Sequence, residues 1–305
     1  MEIGFIGLGV MGRPMALNLM GAGYKVYAYD ARPEAVKELE EEGAHGCSAI
    51  PELAAGADVV ICSLPNAKIV AEVMTGADGV FASCRRGAAI IDMSSVSPGS
   101  SRAMAKEAME YGIDYVDAPI SGGSSAAAAG TLTIMVGAES GAFSRIKPLF
   151  EVLGRNIYHV GEVGCGNAIK MINNLLLGCN MAALAEALAL GVTFGLSVDA
   201  MREIISVSSG RSYALEAKLE KFIMADEFTG GFAVDLLHKD LGIALDASRD
   251  KAVPLPITAA AMQLYEAARA KGLNRADMSA VVKVWEDLTG ANISGTGNQG
   301  AAFHE

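Results

Sequence analysis

Along the first 160 residues, short apolar runs alternate with segments whose apolar residues recur every three or four positions. The runs "EIGFIG", "KVYAYD", "DVVICSL", "AAIIDMSS" and "DYVDAPI" are bounded by Gly, Asp, Pro or Ser, which predicts strands. Between them, "RPMALNLMGAG", "PEAVKELEEEG", "AKIVAEVM" and "SSRAMAKEAMEYG" have helical composition and length. A further strand is predicted over 131–138 ("TLTIMVGA"), followed by a helix around 141–153 and the short run "NIYHV". Apolar strands in alternation with helices predict a parallel sheet covered on both faces.

After Gly161 the alternation stops. The stretch "CGNAIKMINNLLLGCNMAALAEALALGVTFGL" predicts one helix of about 30 residues, about 45 Å long at 1.5 Å per residue. More helices are predicted over 199–207, 211–224, 234–251, 256–271 and 277–288. The expected organisation is α/β: a doubly wound sheet domain over 1–162, then an all-helical domain over 163–290. A Gly-rich tail over 291–305 is expected to be loose. A helix as long and apolar as the one after Gly161 needs cover on most sides. The other helices supply some of it and a second subunit the rest, so a homo-oligomer, dimer or tetramer, is expected.

Composition narrows the function classes. The chain has 305 residues, 51% of them hydrophobic, which is ample for a folded core. A formal net charge of -11 and a pI near 4.9 argue against nucleic acid or an anionic membrane as the main partner. Five scattered cysteines without a CxxC pair read as free thiols of a cytoplasmic protein. Four histidines show no metal-ligand spacing, so no metal is expected. The first strand begins at once, with no basic segment ahead of it, which argues against a signal peptide. The apolar stretch 171–195 is interrupted by Asn173, Asn174, Asn180 and Glu186, which argues against a membrane span.

Gly7, Gly9 and Gly12 have GxGxxG spacing, follow a strand, open a helix, and meet Asp30 at the end of the next strand. That context predicts a dinucleotide site. Gly7 permits the tight turn, Gly9 lets a pyrophosphate approach the backbone, and Gly12 lets helix and strand pack closely. Val10 and Met11 lie within the same turn and join the candidate cofactor contacts. Asp30 can accept hydrogen bonds from the adenosine ribose hydroxyls and would repel a 2′-phosphate, favouring NAD over NADP. Arg32 opposes this, since a nearby arginine can pair with that phosphate. No GK[ST] ends the glycine run, so it is not a P-loop.

Within the long helix, Lys170, Asn173 and Asn174 interrupt an apolar run. Lys170 and Asn174 stand i,i+4 apart and share a face. Burying such groups costs several kcal/mol unless each finds a partner. The segment alone leaves two readings open: a wall of a site, or a satisfied polar network.

Taken in order, "GFIGLGVMGRPMALNL", "DAPISGG", "GTLTIMVGA", "GNAIKMINN" and "HKDLGIALD" resemble the β-hydroxyacid dehydrogenases. That is the family of 3-hydroxyisobutyrate dehydrogenase and tartronate semialdehyde reductase, and the motifs cover residues 3 to about 288. The resemblance implies a Rossmann-type domain followed by an all-α domain, with a long helix between them, and NAD as cofactor. It implies Lys170 as general acid/base and Asn174 as holder of the reacting oxygen. It implies Ser121, Gly122 and Gly123 as the carboxylate-binding loop, and Leu64, Pro65, Ser95 and Lys239 as cofactor contacts. Hydride removal from an alcohol leaves a proton that must go to a base, and a partly buried lysine beside a cationic nicotinamide suits that task.

The helical half most resembles members of the family that interconvert 2-(hydroxymethyl)glutarate and 2-formylglutarate with NAD. Arg211, Ser212 and Tyr213 of "SSGRSYALEAK" are then candidates for the second carboxylate, and Phe232 joins the substrate-binding set. Reactions on 3-hydroxyisobutyrate, tartronate semialdehyde or sulfolactaldehyde are the alternatives. The sulfolactaldehyde reading is weakened because Ser121-Gly122-Gly123-Ser124 lacks the arginine expected in an anion loop for that substrate. A dinucleotide-binding regulatory protein is the non-enzyme alternative, and the presence of Lys170 argues against it.

Overall fold

The computed structural model describes residues 1–295. Among them, nine strands form one sheet: β1 Glu2–Ile6, β2 Lys25–Tyr29, β3 His45–Gly46, β4 Val59–Cys62, β5 Ala89–Asp92, β6 Asp114–Asp117, β7 Ile120–Ser121, β8 Leu132–Gly137 and β9 Gly154–Gly161. Their order is β3-β2-β1-β4-β5-β6-β8-β7, with β9 also paired to β8. From β3 to β6 every pairing is parallel, as the alternating pattern predicts. The expectation fails at β8, which runs antiparallel to β6 and β7. The chain between β7 and β8 holds just the short helix Gly123–Ala129, and a short return on one edge favours antiparallel pairing.

Both faces of the sheet are covered. In β4, Val59 and Ile61 join one apolar cluster, with Met15, Leu19 and Leu149, while Val60 and Cys62 join another, with Leu53, Val70 and Phe81. This two-sided burial explains why the strands read as continuous apolar runs rather than as alternating ones. The chain also turns the other way about β1, from β2 on one side to β4 on the other, which puts a crevice at the C-terminal ends of these strands. The short elements β3, Ile50–Gly56, Val80–Ser83 and Gly123–Ala129 carry too few residues to show a period, and the pattern did not predict them.

Contacts divide the chain into two units, Met1–Lys170 and the part from Met171 onward. The long helix runs unbroken from Cys165 to Thr193. It is long and apolar enough to cross a membrane, and 44% of its most apolar window is buried inside the protein. Met181, Ala185 and Leu188 of this helix enter the core of the second unit beside Leu219, Leu237, Tyr265 and Val281. The helix expected over 211–224 is α-helical over Tyr213–Lys218 and widens to a π-helix over Leu219–Met224. The expected helix 277–288 opens with a 3-10 turn, Met278–Val281, before its α-helical part Val282–Thr289.

The tail expectation needs correction where it can be compared. Ile293 is fully buried, and the Ile293 and Ser294 N–H groups donate to Glu286 at 2.9 and 2.6 Å. The start of the tail is therefore pinned by a carboxylate. Residues 296–305 of the expected loose tail lie outside the described residues.

Candidate functional site

The glycine loop begins where β1 ends. Gly7 has φ +93° and donates its N–H to Tyr29 O at 2.9 Å, and a Cβ there would collide with the Ser63 carbonyl. A Cβ on Gly12 would collide with the Gly7 carbonyl and come within 3.1 Å of the Phe5 ring. Gly9 differs: a Cβ added there meets nothing within 4 Å. Two glycines thus serve packing, and the third opens the loop outward where a ligand backbone can approach. Val10 is exposed and Met11 half-buried. No side chain caps the helix Gly12–Gly21, so its N-terminal N–H groups and positive dipole end suit a phosphate. These residues fit a dinucleotide.

Asp30 holds this loop from the next strand. One carboxylate oxygen accepts the Leu8 N–H at 2.7 Å, and the other accepts the Arg32 N–H at 2.9 Å and Nε at 3.2 Å. Burial would raise the Asp30 carboxyl, but the N–H groups of Arg32 and Leu8, with the Arg32 guanidinium, outweigh it and hold the group below the usual carboxylate range. Arg32 is thereby committed to Asp30 and to the Leu8 carbonyl, at 3.4 Å.

The loops after β4 and β5 are tied together. Leu64 N–H donates to Ser94 Oγ at 2.9 Å, and Ser94 N–H donates to Asp92 at 2.9 Å. Asp92 is fully buried and also accepts the Tyr115 hydroxyl at 2.7 Å and the Cys62 thiol at 3.2 Å. Burial raises the Asp92 carboxyl, although Ser94 and Tyr115 oppose the shift, and it pushes the Cys62 thiol well up. This network, which sequence reasoning missed, supports the stretch bearing Leu64 and Pro65 and the stretch bearing Ser95. Pro65 is exposed and Ser95 half-buried. Beyond β6, Ser121 ends β7, and Gly122 and Gly123 follow at φ +130° and +70°, which favour glycine. A Cβ on Gly122 would press on Ala126 at 2.6 Å, while Gly123 faces open space.

Lys170 is half-buried, and on the same unbroken helix Asn174 follows one turn later. In the second unit, Asn174 is 1% exposed and its Nδ2 donates to Asp240 Oδ2 at 2.5 Å. Its Oδ1 accepts Nδ2 of Asn173 at 2.9 Å. An ionised carboxylate can only accept, so the amide N–H₂ of Asn174 must face Asp240, which leaves one N–H for another acceptor. Asp240 also meets Lys239 Nζ at 3.2 Å. The structure thus joins Asn174 and Lys239 through Asp240, a residue absent from the predicted set. The signal was present: Asp240 is an acidic residue among apolar ones on the helix Val234–Lys251.

Four further predicted substrate residues belong to the second unit. Ser212 caps the helix Tyr213–Lys218 by accepting the Leu215 N–H at 3.3 Å. Tyr213 is 62% exposed, and Arg211 is exposed with no ion pair among the described residues. Phe232 is half-buried, and its N–H donates to Asp277 Oδ2 at 2.8 Å. Asp277 is fully buried and also receives Lys218 Nζ at 2.6 Å and the Ser279 hydroxyl at 2.7 Å. No cluster of His, Cys, Asp or Glu among the described residues could hold a metal ion.

Known proteins bear directly on this arrangement. Residues 2–161 match the family model of the NAD binding domain of 6-phosphogluconate dehydrogenase. Residues 164–285 match the model described as the NAD-binding domain of NADP-dependent 3-hydroxyisobutyrate dehydrogenase. The chain is 58% identical to 2-(hydroxymethyl)glutarate dehydrogenase of Eubacterium barkeri, over 96% of this chain and 98% of that one. It is 39% identical to NAD-dependent L-serine dehydrogenase of Pseudomonas aeruginosa, over 95% and 99% of the two chains. Among solved structures, Mycobacterium tuberculosis 3-hydroxyisobutyrate dehydrogenase with L-serine superposes with a TM-score of 0.85 at 34% identity, covering 93% of this chain and 98% of that one.

Proposed function

The chain belongs to the β-hydroxyacid dehydrogenase family, NAD-dependent oxidoreductases that include 3-hydroxyisobutyrate dehydrogenase, and from that premise we propose its substrate and the roles of its residues. The reaction is the reversible oxidation of the primary alcohol of 2-(hydroxymethyl)glutarate to the aldehyde of 2-formylglutarate. The 58% identity to a dehydrogenase of that name, over nearly the whole of both chains, supports this substrate.

The observation that carries the chemistry is the fixed amide of Asn174. Asp240 takes one of its N–H bonds and Asn173 occupies its carbonyl, so the remaining N–H is the group offered to a reacting oxygen. In this reading Asn174 donates to the substrate hydroxyl oxygen and Lys170, one turn earlier on the helix, takes the hydroxyl proton at Nζ. NAD, when bound, accepts the hydride from the carbon that carries that hydroxyl. Ser121, Gly122 and Gly123 hold the carboxylate next to the reacting carbon, and Gly123, with open space at its Cα, leaves no side chain in the way. Arg211 and Tyr213, both exposed, take the distal carboxylate. Lys239, Leu64, Pro65 and Ser95 contact the cofactor.

NAD is preferred to NADP in this reading. Asp30 still has lone pairs for ribose hydroxyls, while Arg32 is paired to Asp30 rather than offered to a phosphate. The reading extends to a homo-oligomer: Ile172, Leu176 and Leu190 of the long helix and Phe194 just after it are 47, 56, 60 and 77% exposed, which is costly in water. It also places the enzyme in the cytoplasm, which five unpaired cysteines support. The test is a panel of 3-hydroxy acids assayed with NAD and with NADP. The highest kcat/KM is expected for 2-(hydroxymethyl)glutarate with NAD. A higher value for 3-hydroxyisobutyrate, or for NADP, would contradict the substrate or the cofactor preference respectively.

A further inference from the structure

The helix that carries Lys170 begins on a buried carboxylate that the reading above leaves without a task. Asp117, at the end of β6, is fully buried. Its two oxygens accept the N–H of Gly164 and the N–H of Asn167, each at 2.7 Å. These are N–H groups of the first turn of the helix, which have no partner within the helix itself. The negative charge also faces the positive end of a helix of 29 residues.

The fit is close on every side. A Cβ on Gly137 of β8 would strike Asp117 Oδ1, and one on Gly166 would lie 2.8 Å from the Asp117 carbonyl. Gly164 has φ +92°, and a Cβ there would come within 2.9 Å of the Pro98 carbonyl. Gly137 and Gly166 therefore let the first turn lie directly on the strands, and Gly164 lets it lie against the start of the helix Pro98–Glu110.

Asn167 extends the contact. It is 1% exposed, its Oδ1 accepts the Val96 N–H at 3.1 Å, and its Nδ2 donates to Ser101 Oγ at 3.0 Å. Val96 follows Ser95, and Asp117 opens the stretch that leads to Ser121, Gly122 and Gly123. Asn167 itself stands three residues before Lys170. Both carboxylate oxygens of Asp117 and the Asn167 amide oxygen accept backbone N–H groups that join the root of the lysine helix to the segments beside the candidate cofactor and carboxylate loops, and the Asn167 Nδ2 anchors it to Ser101.

We propose that Asp117 and Asn167 are positioning residues for Lys170, fixing the first turn of its helix to the segments that carry Ser95 and Ser121–Gly123. The proposal rests on the reading of Lys170 as the proton-transfer residue. A mere helix cap would stabilise the fold without caring which residue stands at 170. A positioning pair acts through that residue, so its loss depends on the lysine being there.

The experiment is a double-mutant cycle on the full-length enzyme, oxidising 2-(hydroxymethyl)glutarate with NAD. Asn167→Ala and Ser101→Ala are each made with Lys170 present and in the Lys170→Ala background. Asn167→Ala is expected to lower kcat by about 10-fold or more when Lys170 is present, and by less than about 3-fold when it is absent. Ser101→Ala removes just the far anchor of the Asn167 amide and is expected to show the same pattern at about 3-fold, so it decides the matter if Asn167→Ala does not fold. Equal losses in both backgrounds, or an unchanged kcat in Ser101→Ala and Asn167→Ala, would overturn the positioning role. Near-normal kcat in Lys170→Ala alone would instead sink the reading of Lys170, and the proposal with it.

Discussion

The two units of this chain bury their polar groups differently. In the first, Asp92 and Asp117 sit at the ends of parallel strands, and neither meets a cation among the described residues. Their partners are backbone N–H groups and neutral side chains: Ser94, Tyr115 and Cys62 for one, Gly164 and Asn167 for the other. In the second unit, buried carboxylates meet lysines, Asp277 with Lys218 and Asp240 with Lys239. Each also fixes a neutral group, the Phe232 N–H or the Asn174 amide. A sheet offers loops at the strand ends, and a buried carboxylate there organises the loops. Helices packed on helices offer few free backbone groups, so the same task falls to pairs of side chains.

That difference predicts that breaking a pair in the second unit costs most. Asp277→Ala strands Lys218, which lies 8% exposed with its ammonium 4.6 Å from the Phe222 ring centroid. A loss of about 3–5 kcal/mol in chemical denaturation is expected, because the lysine would be left as an unpaired buried charge. A loss under about 1 kcal/mol would mean that the pair matters no more than an exposed one.

Asp240→Asn sharpens the comparison on the catalytic side. An amide in place of the carboxylate no longer dictates which way the Asn174 amide faces, so kcat should fall about 10-fold or more. An unchanged kcat would show that Asn174 is oriented by something else. Arg211→Ala asks whether exposed groups of the same unit contribute to binding. It should raise KM for 2-(hydroxymethyl)glutarate about 10-fold, a charged hydrogen bond being worth about 1.5–3 kcal/mol, and leave KM for 3-hydroxyisobutyrate nearly unchanged. Equal effects on both substrates would assign Arg211 to the fold.

The smallest effect belongs to the first unit. Burial, opposed by the Gly164 and Asn167 N–H groups, pushes Asp117 up to about 6. A carboxyl raised on folding binds its proton more tightly in the native state, so its contribution to stability grows as pH falls through 6 and shrinks as pH rises. Relative to Asp117→Asn, the wild type should therefore gain about 1 kcal/mol between pH 7 and pH 5 in denaturant titrations. A gain in the opposite direction would mean that the helix N-terminus outweighs burial.

The alternation of strands and helices was legible because each strand carries its own apolar run, and Gly7, Gly9, Gly12 and Asp30 were legible because the turn they form is local. The same holds for the long helix and for Lys170 and Asn174 on one face of it. The antiparallel β8 was not legible, since its direction depends on how short the return from β7 is. Asp240, Asp117 and Asn167 were missed for a related reason. Asn174 and Asp240 are 66 residues apart, and Asn167 and Val96 are 71 apart. Nothing in a local period tells which distant polar group will satisfy a buried one. What the sequence did offer was the cost itself: polar residues inside apolar runs, each of which had to find a partner.

The central claim is that Lys170 moves the proton. Its most direct test is Lys170→Ala in the full-length enzyme, with steady-state oxidation of 2-(hydroxymethyl)glutarate and NADH affinity measured by fluorescence on the same sample. The account predicts that kcat falls by about 10² or more while NADH affinity stays within about 3-fold. A near-normal kcat would contradict it.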